Sequence, residues 1–176
     1  MSSELKTIGV AISIPEPYAA ELREWRERAG DPQAKQVFPH VTLLPPTGVA
    51  GTRLPAIVTH LSAVAAGVAP FQMHLRGTGT FRPLSEVVFV AVAAGISACE
   101  QLERGVRSGP LARGTQFPYH PHVTVAHDVP TASLDFAYEG LTDYEARFDV
   151  ECFTMFEQDV DGVWQPQREF RLRGRA

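Results

Sequence analysis

Pro39-His40-Val41-Thr42-Leu43 and Pro121-His122-Val123-Thr124-Val125 are two copies of one pattern, Pro-His-Val-Thr followed by an apolar residue. They stand 82 positions apart, His40 to His122, so each half of the 176-residue chain holds one copy. In an extended strand, residues i and i+2 face the same side. Each copy therefore presents His and Thr on one face and sends Val and the next apolar residue toward a core. Two such strands, related by internal duplication, predict one cleft lined by two imidazoles and two hydroxyls.

The surrounding segments repeat in order. Lys6 to Ile14 reads as a buried strand, and Tyr18, Leu22, Trp25 and Ala29 mark one face of a helix. The first His-Thr strand, Val37 to Leu44, follows, and Pro45-Pro46-Thr47-Gly48 reads as a turn or loop. A second amphipathic helix carries Ile57, Leu61 and Val64. Phe71 to Phe81 reads as a strand whose glycines predict a bulge or a close backbone approach. The second half begins again with a strand, Glu86 to Ala93, and a helix through Ile96, Cys99, Leu102 and Val106, for which Ser97-Ala98-Cys99-Glu100 fits a capping box. His120 to His127 is the second His-Thr strand, and Thr131 is the expected cap of a short helix. Tyr144 to Glu157 reads as one long strand, joined through an Asp161-Gly162 hairpin turn to Val163–Arg173.

Phe71 and Phe153 are again 82 positions apart. Similar order at constant offset implies duplication. The expected fold is α+β and bilobed, with two antiparallel sheets related by a pseudo-twofold, outer helices, and the active-site cleft between lobes. It is expected to form a single domain over 1–176, with repeats at approximately 6–82 and 86–173.

Composition narrows the function. The apolar fraction is 44% and the charged fraction 20%, ordinary for a globular protein. A net charge of −4 argues against coating nucleic acid through phosphate contacts, though not against a local phosphate pocket. No apolar stretch is long enough to span a membrane, and no signal peptide is visible, so a cytoplasmic protein is expected. Cys99 and Cys152 lack metal-like spacing and read as free thiols of a reducing compartment.

Two imidazoles at one site can divide acid and base work around neutral pH, where both protonation states are accessible. Threonine hydroxyls beside them can donate to the non-bridging oxygens of a phosphate. Phosphoryl transfer needs alignment and charge stabilisation more than covalent chemistry. A His-Thr pair on each side of a phosphodiester supplies both, without metal or cofactor.

With His40-Val41-Thr42-Leu43 and His122-Val123-Thr124-Val125 matching a doubled His-x-Thr-x motif, the chain resembles the two-histidine (2H) phosphoesterase superfamily. Within it, the chain is similar to the LigT-like group, known as 2′-5′ RNA ligase or RNA 2′,3′-cyclic phosphodiesterase. The resemblance covers nearly the whole chain. It implies hydrolysis of a 2′,3′-cyclic phosphate on an RNA end or small nucleotide, or ligation in reverse. His40 and His122 would be acid and base in either order, and Thr42 and Thr124 would hold the phosphate. Many members carry Arg three residues after the second Thr; His127 stands there and either binds phosphate, weakly or when protonated, or is with His120 a surface or supporting residue, the reading preferred over direct catalysis.

Further candidate contacts are Phe38 and Tyr119, which either stack on a base or pack the rim, and Arg82, which either reaches a phosphate or lies solvated in a turn. Arg171, Arg173 and Arg175 form a basic stripe that fits a solvated strand edge. His60 and His74 read as structural or surface residues. A monomer is expected. Two other functions fit the residues less well: a nucleotide- or RNA-binding module without turnover, and a zinc hydrolase using His40, His120 and His122.

Overall fold

The computed structural model describes residues 4–176. Two four-stranded antiparallel sheets carry the architecture, with helices on their outer faces. The strands are β1 (Leu5–Ser13), β2 (His40–Ala50), β3 (Phe71–Thr80), β4 (Val87–Ala94), β5 (His122–His127), β6 (Glu145–Val150), β7 (Cys152–Gln158) and β8 (Trp164–Arg171). The helices are α1 (Tyr18–Arg28), α2 (Leu54–Ala66), α3 (Ile96–Val106) and α4 (Thr131–Gly140). Strand order is β2-β1-β7-β8 in the first sheet and β5-β4-β3-β6 in the second.

The two orders superpose when β1 is matched to β4, β2 to β5 and β7 to β3, which is the pseudo-twofold the repeated sequence predicts. Sheet membership nevertheless crosses the midpoint of the chain. β3, from the first half, pairs with β4 and β6, while β7 and β8 return to complete the first sheet beside β1. The segment read as one long strand from Tyr144 is divided at Glu151: β6 ends in the second sheet and β7 starts in the first.

Alternation in the two motif strands follows the sequence. Val41, Leu43, Val123 and Val125 are buried in the core, and His40, Thr42, His122 and Thr124 remain partly open on the other face. Leu22 of α1, Ile57 and Leu61 of α2, Leu102 of α3 and Leu134 of α4 close the core from outside.

Several local expectations are corrected. Pro45-Pro46-Thr47-Gly48 is not a loop, since β2 continues through it to Ala50, with a register shift against β1 at Pro45-Pro46. A proline is tolerated there because β2 is an edge strand and one side of its backbone needs no ladder partner. Ser97 caps nothing: α3 starts from Gly95, whose φ of 96° lets the chain leave β4 through a left-handed residue. Thr131 is the first residue of α4, and no side chain caps that helix. His74, read as structural or surface, pairs across strands, with Nε2 2.7 Å from Glu145 Oε1 in the β3–β6 pair. The bulge expected in β3 is present as register shifts between His74 and Thr78, with Gly77 at φ 69°.

Candidate active site

β2 and β5 are the edge strands of their sheets and approach one another, so the open faces of both motifs meet. One contact ties the approach to β5 onto β2 and a second ties β5 to the segment after α1. Tyr119 Oη, just before β5, donates to the Thr42 carbonyl at 2.7 Å, and the His127 backbone N–H donates to Asp31 at 3.1 Å.

The histidines are held identically. His40 Nδ1 lies 2.7 Å from the Phe38 carbonyl, and His122 Nδ1 lies 2.7 Å from the His120 carbonyl. A carbonyl only accepts, so each Nδ1 must carry its proton and donate. That assigns the tautomer and leaves each Nε2 as the free nitrogen. The proline before each histidine disfavours helix and keeps the preceding residue extended, which suits this i−2 carbonyl contact.

Two adjoining cavities share Thr42 and Pro45 in their walls. The first, about 370 Å³, is lined by His40, Thr124, His127, Arg26, Phe38 and Trp164, among others. The second, about 760 Å³, is lined by His122, His120, Tyr119, Phe81, Arg107 and Arg113, among others. No protein hydrogen bond among the described residues uses the Thr42 or Thr124 hydroxyl, and no buried side-chain polar atom lacks a partner. Both hydroxyls are therefore available to a ligand.

Burial shapes the protonation of the pair. Desolvation pushes the His40 imidazole down to about 4; the Phe38 carbonyl opposes this, while the charges of Arg26 and His122 reinforce it. His122 is also lowered, first by burial, with the His120 carbonyl opposing and the His120 charge reinforcing. Phe81 and Phe89 wall the His122 ring at 5.0 and 5.2 Å between centroids.

The other candidates divide. Phe38 lines the first cavity, stacked on Phe156 with centroids 4.4 Å apart and 5.3 Å from the His40 ring. Tyr119 lines the second cavity, but its hydroxyl is committed to Thr42. His127 lines the first cavity, with Nε2 3.2 Å from Asp128. Arg82 lines neither; its guanidinium pairs with Asp135 at 2.8 Å and donates to Thr80 Oγ1. His60 Nε2 donates to the Val106 carbonyl at 3.2 Å, away from the cleft. His40, His120 and His122 form no metal-binding group: among the described residues no three His, Cys, Asp or Glu side chains converge on one point.

Arg26 and Trp164 belong to the cleft, yet nothing in the motif pattern marks them. Arg26 sits among charged residues of a helix that looks solvated in sequence, but only 6% of it is exposed. Trp164 comes from the hairpin that returns to the first sheet, where a Cβ on residue 9 would lie 3.3 Å from its ring and Gly9 leaves that space open.

The chain is similar to known proteins over most of its length. The family model described as the 2′-5′ RNA ligase superfamily matches residues 14–162. A protein of Halalkalibacterium halodurans named "Putative phosphoesterase BH1439" is 26% identical over 173 residues, covering 93% of this chain and 96% of its own. TT0787 of Thermus thermophilus has TM-score 0.68 and 27% identity, with coverage of 97% and 100%. E. coli LigT complexed with 3′-AMP has TM-score 0.69 and 24% identity, with coverage of 96% and 99%, a likeness of fold.

Proposed function

The chain belongs to the 2′-5′ RNA ligase superfamily, and from that membership and the cleft we propose that it is a metal-independent phosphodiesterase opening a 2′,3′-cyclic phosphate. The substrate is an RNA end or a small cyclic nucleotide, and the reverse reaction is 2′-5′ ligation. The observation that carries this reading is the matched pair of Nδ1–carbonyl bonds, which leaves two Nε2 atoms beside two unused threonine hydroxyls. The complex of E. coli LigT with 3′-AMP supports a nucleotide as ligand.

The chemistry needs one neutral and one protonated imidazole. His40, whose proton affinity burial and the Arg26 charge lower, is the ring that stays neutral and is free to accept a proton. Its Nε2 takes a proton from water as the water oxygen bonds to phosphorus. The bond from phosphorus to one ribose oxygen breaks, and His122 Nε2 delivers a proton to that oxygen. Water is thus added across one P–O bond. Thr42 and Thr124 donate to the non-bridging oxygens and hold the phosphorus in line. A bound anion also raises the proton affinity of both rings, which favours protonating the acid once substrate is in place.

The test is a panel of 2′,3′-cyclic nucleotides and cyclic-phosphate RNA ends, with wild type beside His40→Ala and His122→Ala. Each variant is expected to lose about 10²- to 10⁴-fold in turnover while still binding nucleotide. Hydrolysis is expected to survive chelator. A wild type that turns over no diester refutes the proposal and leaves a binding module.

A further inference from the structure

Burial lowers the proton affinity of both imidazoles, so in the unliganded cleft a permanent cation would favour the arrival of a phosphate. The second cavity has two guanidinium groups: Arg107 is committed to a carboxylate, and Arg113 is exposed, with one nitrogen on a hydroxyl and no fixed orientation. Arg107 pairs with Glu103 at 2.6 Å and donates to the Arg113 carbonyl, and Arg113 donates to Thr47 Oγ1 at 2.8 Å. Arg26 is different. It lines the first cavity with His40, Thr42 and Thr124, and its side chain is 7% exposed. Only its Nε has a protein partner among the described residues, Asp31 Oδ2 at 2.7 Å.

Asp31 is itself almost fully buried and engages both oxygens. Oδ2 accepts from Arg26 and from the His127 backbone, and Oδ1 accepts from the Gln33 backbone. A carboxylate held at three points fixes Nε, and the planar guanidinium then fixes the direction of both Nη groups. A guanidinium anchored at Nε, whose two unpaired Nη atoms are not buried and which lines an open cavity, is suited to a bidentate oxyanion contact.

Resting on the reading above, we infer that Arg26 is the cation that binds the substrate phosphate, and that Asp31 is the residue that positions it. This also explains how the cleft manages with His127 alone on the β5 side: the charge comes from α1 instead. Its field reaches the motif, because it contributes to the lowered proton affinity of His40.

The experiment titrates inorganic phosphate into the full chain and follows binding by calorimetry, for wild type, Arg26→Gln, Arg26→Lys and Asp31→Asn, with each fold checked by thermal melt. Arg26→Gln is expected to weaken phosphate binding about tenfold or more and to raise KM for a cyclic phosphate. Arg26→Lys recovers part of the affinity, as a point charge without the fork. Asp31→Asn gives an intermediate loss, since the charge stays but its orientation is relaxed. The His40 ring is expected to titrate at higher pH in Arg26→Gln, which a role in folding alone would not produce.

Unchanged phosphate affinity in a folded Arg26→Gln overturns the inference. If that variant does not fold, the Arg26 Nε–H resonance of wild type decides: a shift on saturation with phosphate supports the inference, and no shift overturns it. A wild type that hydrolyses cyclic phosphates but binds phosphate equally well without Arg26 overturns this inference alone. A wild type that binds phosphate through Arg26 but opens no cyclic diester overturns the proposed function alone.

Discussion

At His40, burial outweighs the carbonyl that would favour the imidazolium, and the sign of that imbalance sets two pH dependences. For the free enzyme, the acid limb of kcat/KM follows the base and the alkaline limb follows the acid. With His40 at about 4 and His122 also lowered, the profile is expected to be bell-shaped, with its maximum on the acid side of 6.5. Initial rates at subsaturating cyclic nucleotide check this, and a maximum above neutrality would refute the assignment. Stability moves through the same group. The unfolded chain takes up the His40 proton near about pH 6.5, while the folded chain resists until about 4. Its contribution is full above about 6.5 and is lost as pH falls toward 4. Melting temperature should decline across that window, and less steeply in His40→Gln. The place of both histidines on open strand faces was legible from the doubled motif. Their protonation was not, because burial and the charge on α1 are set by elements far away in the chain.

Among elements, the strands that carry the motifs depend on what stands behind them. Gly79 of β3 faces Phe89 of β4, and a Cβ there would lie 2.6 Å from the ring. Phe89 in turn walls His122. Gly79→Ala is expected to cost about 1–3 kcal/mol in a denaturation experiment, through overpacking, and to lower turnover by displacing that ring. Tyr119→Phe removes the bond that ties the approach to β5 onto β2. It is expected to cost about 0.5–1.5 kcal/mol, with a matching fall in melting temperature. Element types were readable because periods of 2 and 3.6 separate strand from helix in these stretches. The errors fell at ends and edges. Pro45-Pro46 has the composition of a turn, but only sheet position tells an edge strand from a loop. Ser97 and Thr131 suit caps, yet the backbone leaving β4 and the one entering α4 start those helices elsewhere.

For the whole molecule, the exchange of β3 and β7 between the sheets is the main constraint. β1 lies between β2 and β7, and β4 lies between β5 and β3, so neither central strand is fully paired within its own half. We expect a single cooperative unfolding transition with coincident probes. We also expect that a fragment ending near Phe81 will fail to give dispersed amide resonances alone but will recover them when mixed with the remainder. A first half that folds independently would contradict this. The residues alone determined that the chain is duplicated, that its inner faces are apolar, and that two His-Thr pairs lie on open faces, because strand alternation is a local property written into every second position. Tertiary structure alone decided which halves exchange strands, that a helix borne on the first half supplies Arg26 to the cleft, and how each imidazole holds its proton. Those outcomes depend on distances between segments remote in sequence, and on how much water the assembled sheets exclude, and no local pattern encodes either.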